Sequence, residues 1–140
     1  MKIIFISVML AAASASAANT INIECPPEFP ETAISFNDAV PGWTPYMPTS
    51  LHVSSADLMY GPPQSHLLAK PATYRRLKGR ETATWHLKDQ ATTPKWLSCS
   101  YGATGEVTLS TRLPANVAEC TVTVHKESDG NVTTVVASCI

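Results

Sequence analysis

The chain has 140 residues, a formal net charge of −1 and 44% hydrophobic side chains, which is room for one domain with its own core. So balanced a charge gives no general attraction to nucleic acid or to anionic membranes. Eleven prolines and six glycines interrupt the chain too often for long helices, and an all-β fold is indicated.

Lys2 is followed by an apolar run from Ile3 to Ala13 and then by Ala15-Ser16-Ala17. That is the layout of a signal peptide over residues 1–17, too short to span a bilayer and closed by an A-x-A cleavage pattern. Cleavage after Ala17 leaves residues 18–140 as a single β-rich domain, periplasmic or secreted, with nine basic and eleven acidic side chains. No later segment is apolar enough for stable membrane insertion. The four cysteines, Cys25, Cys99, Cys120 and Cys139, all fall in that part, and in an oxidising compartment an even number predicts two disulfides. Their spacing supplies none of the paired motifs that hold zinc, so neither a metal nor a cofactor is expected.

Residues 25–48 are proline-rich and read as extended or looped. Leu51 to Tyr60 supplies a strand, ended by Gly61-Pro62-Pro63. Tyr74-Arg75-Arg76-Leu77-Lys78-Gly79-Arg80 reads as a basic loop. Period-two alternation then puts Ala83, Trp85 and Leu87 on one face, followed by Leu97, Cys99 and Tyr101, by Val107, Leu109, Thr111 and Leu113, by Cys120, Val122 and Val124, and by Val135, Ala137 and Cys139. The segments between these runs carry turn residues. An antiparallel meander follows, folded into a small β-sandwich or a partly closed barrel.

The register of the last hairpin can be counted. A two-residue Asp129-Gly130 turn pairs Ser128 with Asn131, placing Val124 opposite Val135, Val122 opposite Ala137 and Cys120 opposite Cys139. Opposed residues lie about 4.5–5.5 Å apart, within disulfide range. If the meander continues, Cys99 sits beside Leu109 and Leu109 beside Val122, which separates Cys99 from Cys120 by two strand spacings, about 9.5 Å. A disulfide cannot bridge that, so Cys99 is expected to pair with Cys25.

The stretch from Trp96 to Val122, with its Trp-Leu-x-Cys-x-Tyr core, resembles the C-terminal part of a family of small exported proteins of Gram-negative bacteria. The resemblance extends to Cys25-Pro26, Pro41-Gly42-Trp43-Thr44 and Tyr60-Gly61-Pro62-Pro63. It implies a periplasmic or secreted location and carries no chemistry over to any residue.

The chain contains no G-x-S-x-G, P-loop, dinucleotide fingerprint or H-E-x-x-H stretch. His52, His66, His86 and His125 are scattered singly, and Ser98 and Ser100 read as ordinary strand hydroxyls. No catalytic residue is therefore nominated, and the protein is expected not to be an enzyme. Charge is more informative. Residues 18–69 carry five carboxylates and no lysine or arginine, whereas residues 70–95 carry seven cations against two carboxylates. Either the two stretches neutralise each other on folding or simply form solvated faces, or Arg75, Arg76, Lys78 and Arg80 capture an acidic partner. Nucleic acid is a poor candidate, since Tyr74 is the only aromatic among these cations.

Trp96 faces away from Leu97, Cys99 and Tyr101, with Arg112 opposite it across a five-residue loop. The pair reads as a local cation–π contact or, if uncovered, as a protein-binding anchor. Trp85 is expected in the core, and Trp43 either lies over the sheet or reaches into a partner. Two functions of different kinds remain: a non-catalytic inhibitor or immunity-like protein that binds an envelope protein, or an enzyme or small-ligand carrier whose site is assembled from the upstream loops. A pocket with converging polar groups near His52, His66 or Trp43 would favour the second.

Overall fold

The computed structural model describes residues 19–37, 40–90 and 92–140; the expected signal peptide and Asp38 lie outside the described residues. Among the described residues nine strands form: β1 (Ile21–Glu24), β2 (Glu28–Phe29), β3 (Leu51–Tyr60), β4 (Thr73–Leu77), β5 (Arg80–His86), β6 (Lys95–Tyr101), β7 (Val107–Arg112), β8 (Glu119–Lys126) and β9 (Val132–Cys139). All pairings are antiparallel, in a five-stranded sheet of order β1-β9-β8-β5-β4 and a four-stranded sheet of order β2-β3-β6-β7. The sheets do not close on each other, which makes the fold a sandwich. Leu58, Leu97, Cys99 and Tyr101 from one sheet and Trp85, Val122, Val135 and Ala137 from the other form its buried core, the two-period face that each strand offers.

The meander does not continue past β7. That strand is an edge of the four-stranded sheet, and β8 pairs with β5 on the other, so Val122 lies beside Ala83 rather than Leu109. The physical reason is the Leu113–Ala118 crossing. Leu113 and Val117 are buried, and the Lys95 Nζ donates to the Ala115 carbonyl at 3.0 Å, so the segment is anchored at both ends in the core and crosses to the other sheet with Pro114, Ala115 and Asn116 exposed. A single sheet would have left one apolar face bare; crossing lets both inner faces bury each other. Lys95, counted among the surface cations from sequence, is 2% exposed and belongs to this corner.

Cys120 pairs with Cys139 and Cys25 with Cys99. The second pairing is as expected, but its premise was wrong, because Cys99 and Cys120 stand in different sheets. The β8–β9 register agrees from Cys120 opposite Cys139 to His125 opposite Thr134. Its tip does not. Glu127 N–H donates to the Asn131 carbonyl and Gly130 N–H to the Glu127 carbonyl, a three-residue loop with Gly130 at φ +89°. A bulge where Lys126 meets Val132 then absorbs one residue of β9, Thr133, and restores the register.

The N-terminal arm is tied on by more than its cysteine. Cys25 N–H donates to the Val135 carbonyl at 2.9 Å, and the Tyr101 hydroxyl donates to the Pro26 carbonyl at 2.9 Å. Burial pushes the Tyr101 phenol up from its ordinary value. Among the described residues no helix is long and apolar enough to cross a membrane.

Candidate functional site

The residues expected to form a basic loop form a hairpin instead. β4 and β5 pair from Thr73 opposite Thr84 to Leu77 opposite Arg80, and the turn is Lys78-Gly79 with Gly79 at φ +72°. A side chain there would be strained by that angle and would press on the Lys126 carbonyl oxygen. Thr73, Arg75 and Leu77 share the outer face with Arg80, while Tyr74 and Arg76 lie on the side of Glu81, Ala83 and Trp85. β4 is exposed along its whole length.

Glu81 divides the four cations. Its carboxylate accepts from Lys126 Nζ at 2.8 Å and Arg76 Nε at 2.9 Å, and from the Tyr74 hydroxyl at 2.9 Å. The Lys126 hydrogen bond, with Tyr74 and the two cationic charges behind it, holds this carboxyl below its ordinary range. Arg76 is also bonded to the Tyr74 hydroxyl at 3.1 Å and lies over its ring. It is therefore committed to the fold. Arg75, Lys78 and Arg80 form no ion pair with a described carboxylate and remain exposed.

The ion pairs among the described residues all join neighbouring strands: His52 with Glu28, Arg76 and Lys126 with Glu81, and His86 with Glu119. None joins a cation of residues 70–95 to a carboxylate of residues 18–69. Mutual neutralisation of the two stretches does not occur among these residues, and the basic surface stays available.

Trp96 lies opposite Arg112 on β7 as expected, with Met59 of β3 on its other side. It is half-buried and Arg112 is exposed. The cation–π contact among the described residues is that of Arg76 with Tyr74, not one between Trp96 and Arg112. These two residues belong to the four-stranded sheet and the basic hairpin to the five-stranded one, so the expected binding residues fall on two surfaces. A third surface was foreshadowed at Trp43 alone: Val40, Trp43 and Tyr46 are 65, 77 and 80% exposed, so of the two positions open to Trp43 the one over the sheet is not taken. Their proline-broken spacing has no periodicity that would assign them to a face.

Among the described residues the upstream loops bring no set of reactive side chains into hydrogen-bond contact. Asp57, His66 and Ser98 line one groove, but its hydrogen bonding is structural: Ser98 accepts from Ser110 at 3.0 Å. No described hydrogen bond links the three. Asp57 has its carboxyl pushed up by burial. His52 lines a separate cleft of about 670 Å³ and is paired with Glu28 at 3.7 Å. No group of three metal-ligating side chains occurs among the described residues.

Fold and surface define the class structurally: a disulfide-stapled β-sandwich whose described residues turn charge and aromatic rings outward. The chain belongs to the type VI secretion system Tli immunity protein family, whose model matches residues 48–140, the whole stretch from β3 to β9. No curated protein and no solved structure matches it. Membership makes it a non-catalytic, immunity-like protein that binds a partner protein, the effector, and does not favour the enzyme or ligand-carrier alternative.

Proposed function

We propose that residues 18–140, exported by the 1–17 signal, act as one domain in the periplasm and hold an effector through the β4–β5 hairpin, with Arg75, Lys78 and Arg80 as the contacting cations. The observation that supports this is their lack of internal counter-charges, beside an Arg76 that has one. Unpaired exposed cations steer an acidic partner and fix its orientation. Trp96 and Arg112 form a second contact at the edge of the other sheet, within the Trp-Leu-x-Cys-x-Tyr segment that we take as part of the family's core. The disulfides, which need oxidising surroundings, support the periplasmic placement.

The test begins by identifying the effector. The oxidised 18–140 chain is used to capture it from envelope extract, and it qualifies only if cells producing it in the periplasm survive when this chain is co-produced. The R75E/K78E/R80E variant is then expected to bind it about 100-fold more weakly and to lose protection, with both disulfides still formed. Undiminished binding removes the hairpin from the interface.

A further inference from the structure

We infer that the free edge of β4 is itself the docking strip, and that the effector adds an acidic, extended segment to it as a sixth strand of the five-stranded sheet. The inference rests on the reading that the hairpin holds the effector, and it specifies how.

The geometry comes from the ladder. Lys126 N–H donates to the Gly79 carbonyl at 2.9 Å, so alternation along β5 turns the main-chain groups of Arg80, Thr82 and Thr84 toward β4. There they meet Leu77, Arg75 and Thr73. The N–H and C=O groups of Tyr74 and Arg76 are left directed outward, on a strand with no neighbour on that side among the described residues. An edge of this kind is a template for another strand. The other edges are poorer matches for an acidic segment: β2 has two residues and β1 four, the latter carrying Glu24, and β7 carries one cation, Arg112, at its very end.

Side chains select the occupant. On the outer face Arg75 and Arg80 lie on either side of Leu77, which is 58% exposed. An added strand gains most with a carboxylate against Arg75 and an apolar group against Leu77. A second copy of this chain is a bad fit. Antiparallel pairing of two β4 strands about their centre would set Arg75 against Arg75, a like-charge pair that opposes association. The same cations that invite an acidic strand thus protect the edge from self-pairing.

The test uses the oxidised chain and the effector identified above. Tyr74→Pro removes an outward N–H and none that β5 uses, a place where an edge strand tolerates proline. Tyr74→Phe removes the hydroxyl bond to Glu81 and keeps the N–H. Strand addition predicts binding weakened roughly 30-fold in Y74P and by less than about threefold in Y74F. If Y74P binds like Y74F while R75E/K78E/R80E fails to bind, the basic hairpin stands and strand addition falls. If all three bind normally, both fall. Should Y74P not fold, amide exchange on the wild-type chain decides: the Tyr74 and Arg76 amides should slow at least about 100-fold in the complex, and unchanged exchange overturns the inference. A free chain that dimerises with those amides already protected overturns the choice of an acidic partner.

Discussion

Two hairpins in one sheet have opposite fates. β8–β9 lies in the middle, with Cys120, Val122, Val124, Val135, Ala137 and Cys139 all buried and a disulfide across its open end. β4–β5 lies at the margin: β5 contributes Trp85 to the core, and β4 contributes no buried residue. The same motif is thus scaffold where both neighbours cover it, and is free to meet another protein where one neighbour is missing.

The sharpest way to break this contrast is at Trp85, where the marginal hairpin touches the core. Its ring is 1% exposed and its Nε1–H donates to the Ala69 carbonyl at 2.8 Å. Trp85→Ala should destabilise by about 3–5 kcal/mol, read by urea unfolding. A loss under about 1 kcal/mol would mean that β5 belongs to the surface with β4.

Next come the disulfides. The Cys25–Cys99 bridge spans 74 positions and Cys120–Cys139 spans 19, so the chain-entropy relation assigns them about 4.5 and 3.3 kcal/mol. Paired Cys→Ser variants should therefore rank in that order in denaturation midpoint. Cys120→Ser/Cys139→Ser should cost less for a further reason: its strands remain paired along the whole β8–β9 ladder, whereas the arm bearing Cys25 is left to the shorter β1–β9 and β2–β3 pairings.

How legible each hairpin was follows from sequence distance. The β6–β7 register could be counted because a short turn joins the strands directly, and both Cys99 opposite Leu109 and Trp96 opposite Arg112 are as counted. The β8–β9 count agrees along the ladder because the bulge at Thr133 offsets a loop one residue longer than the turn assumed. β5–β8 and β3–β6 pairings were not readable, since no local turn connects them and only burial of the two inner faces selects them. β4 was hidden for another reason. An edge strand exposed on both faces has no apolar alternation to reveal it, so Tyr-Arg-Arg-Leu-Lys reads as a loop. Lys78-Gly79 was the available signal: a two-residue turn there sets Arg76 against Glu81, which would have shown that one of the four cations is internally satisfied.

That satisfaction is the third and smaller lever. Glu81→Gln removes a charge that Lys126 holds most strongly, and should cost about 1 kcal/mol at pH 7, most of it from Lys126 because Arg76 is well exposed and screened. The sign of the pH dependence is fixed. A carboxyl held below its ordinary value, 4.5 for glutamate, adds stability in full above that value and loses it as the pH falls through the lower folded one. The gap between wild type and Glu81→Gln should thus be constant above about pH 5.5 and close in more acidic solution. A gap that widened on acidification would place the carboxylate's partners elsewhere.

The smallest expected effect on folding is that of R75E/K78E/R80E, within about 0.5 kcal/mol. None of the three side chains gives up an ion pair with a described carboxylate, and all are exposed. Reversal leaves positions 75 and 80 alike in charge on the outer face, so the repulsion between them is kept rather than added. Arg76→Ala is the informative contrast, because it breaks the contact with Glu81 at 2.9 Å and the stacking on Tyr74. It should destabilise the fold more than the triple reversal does and weaken the effector complex less. If the ranking came out the other way, the division that Glu81 makes among the four cations would be wrong, and with it the choice of which of them face the partner.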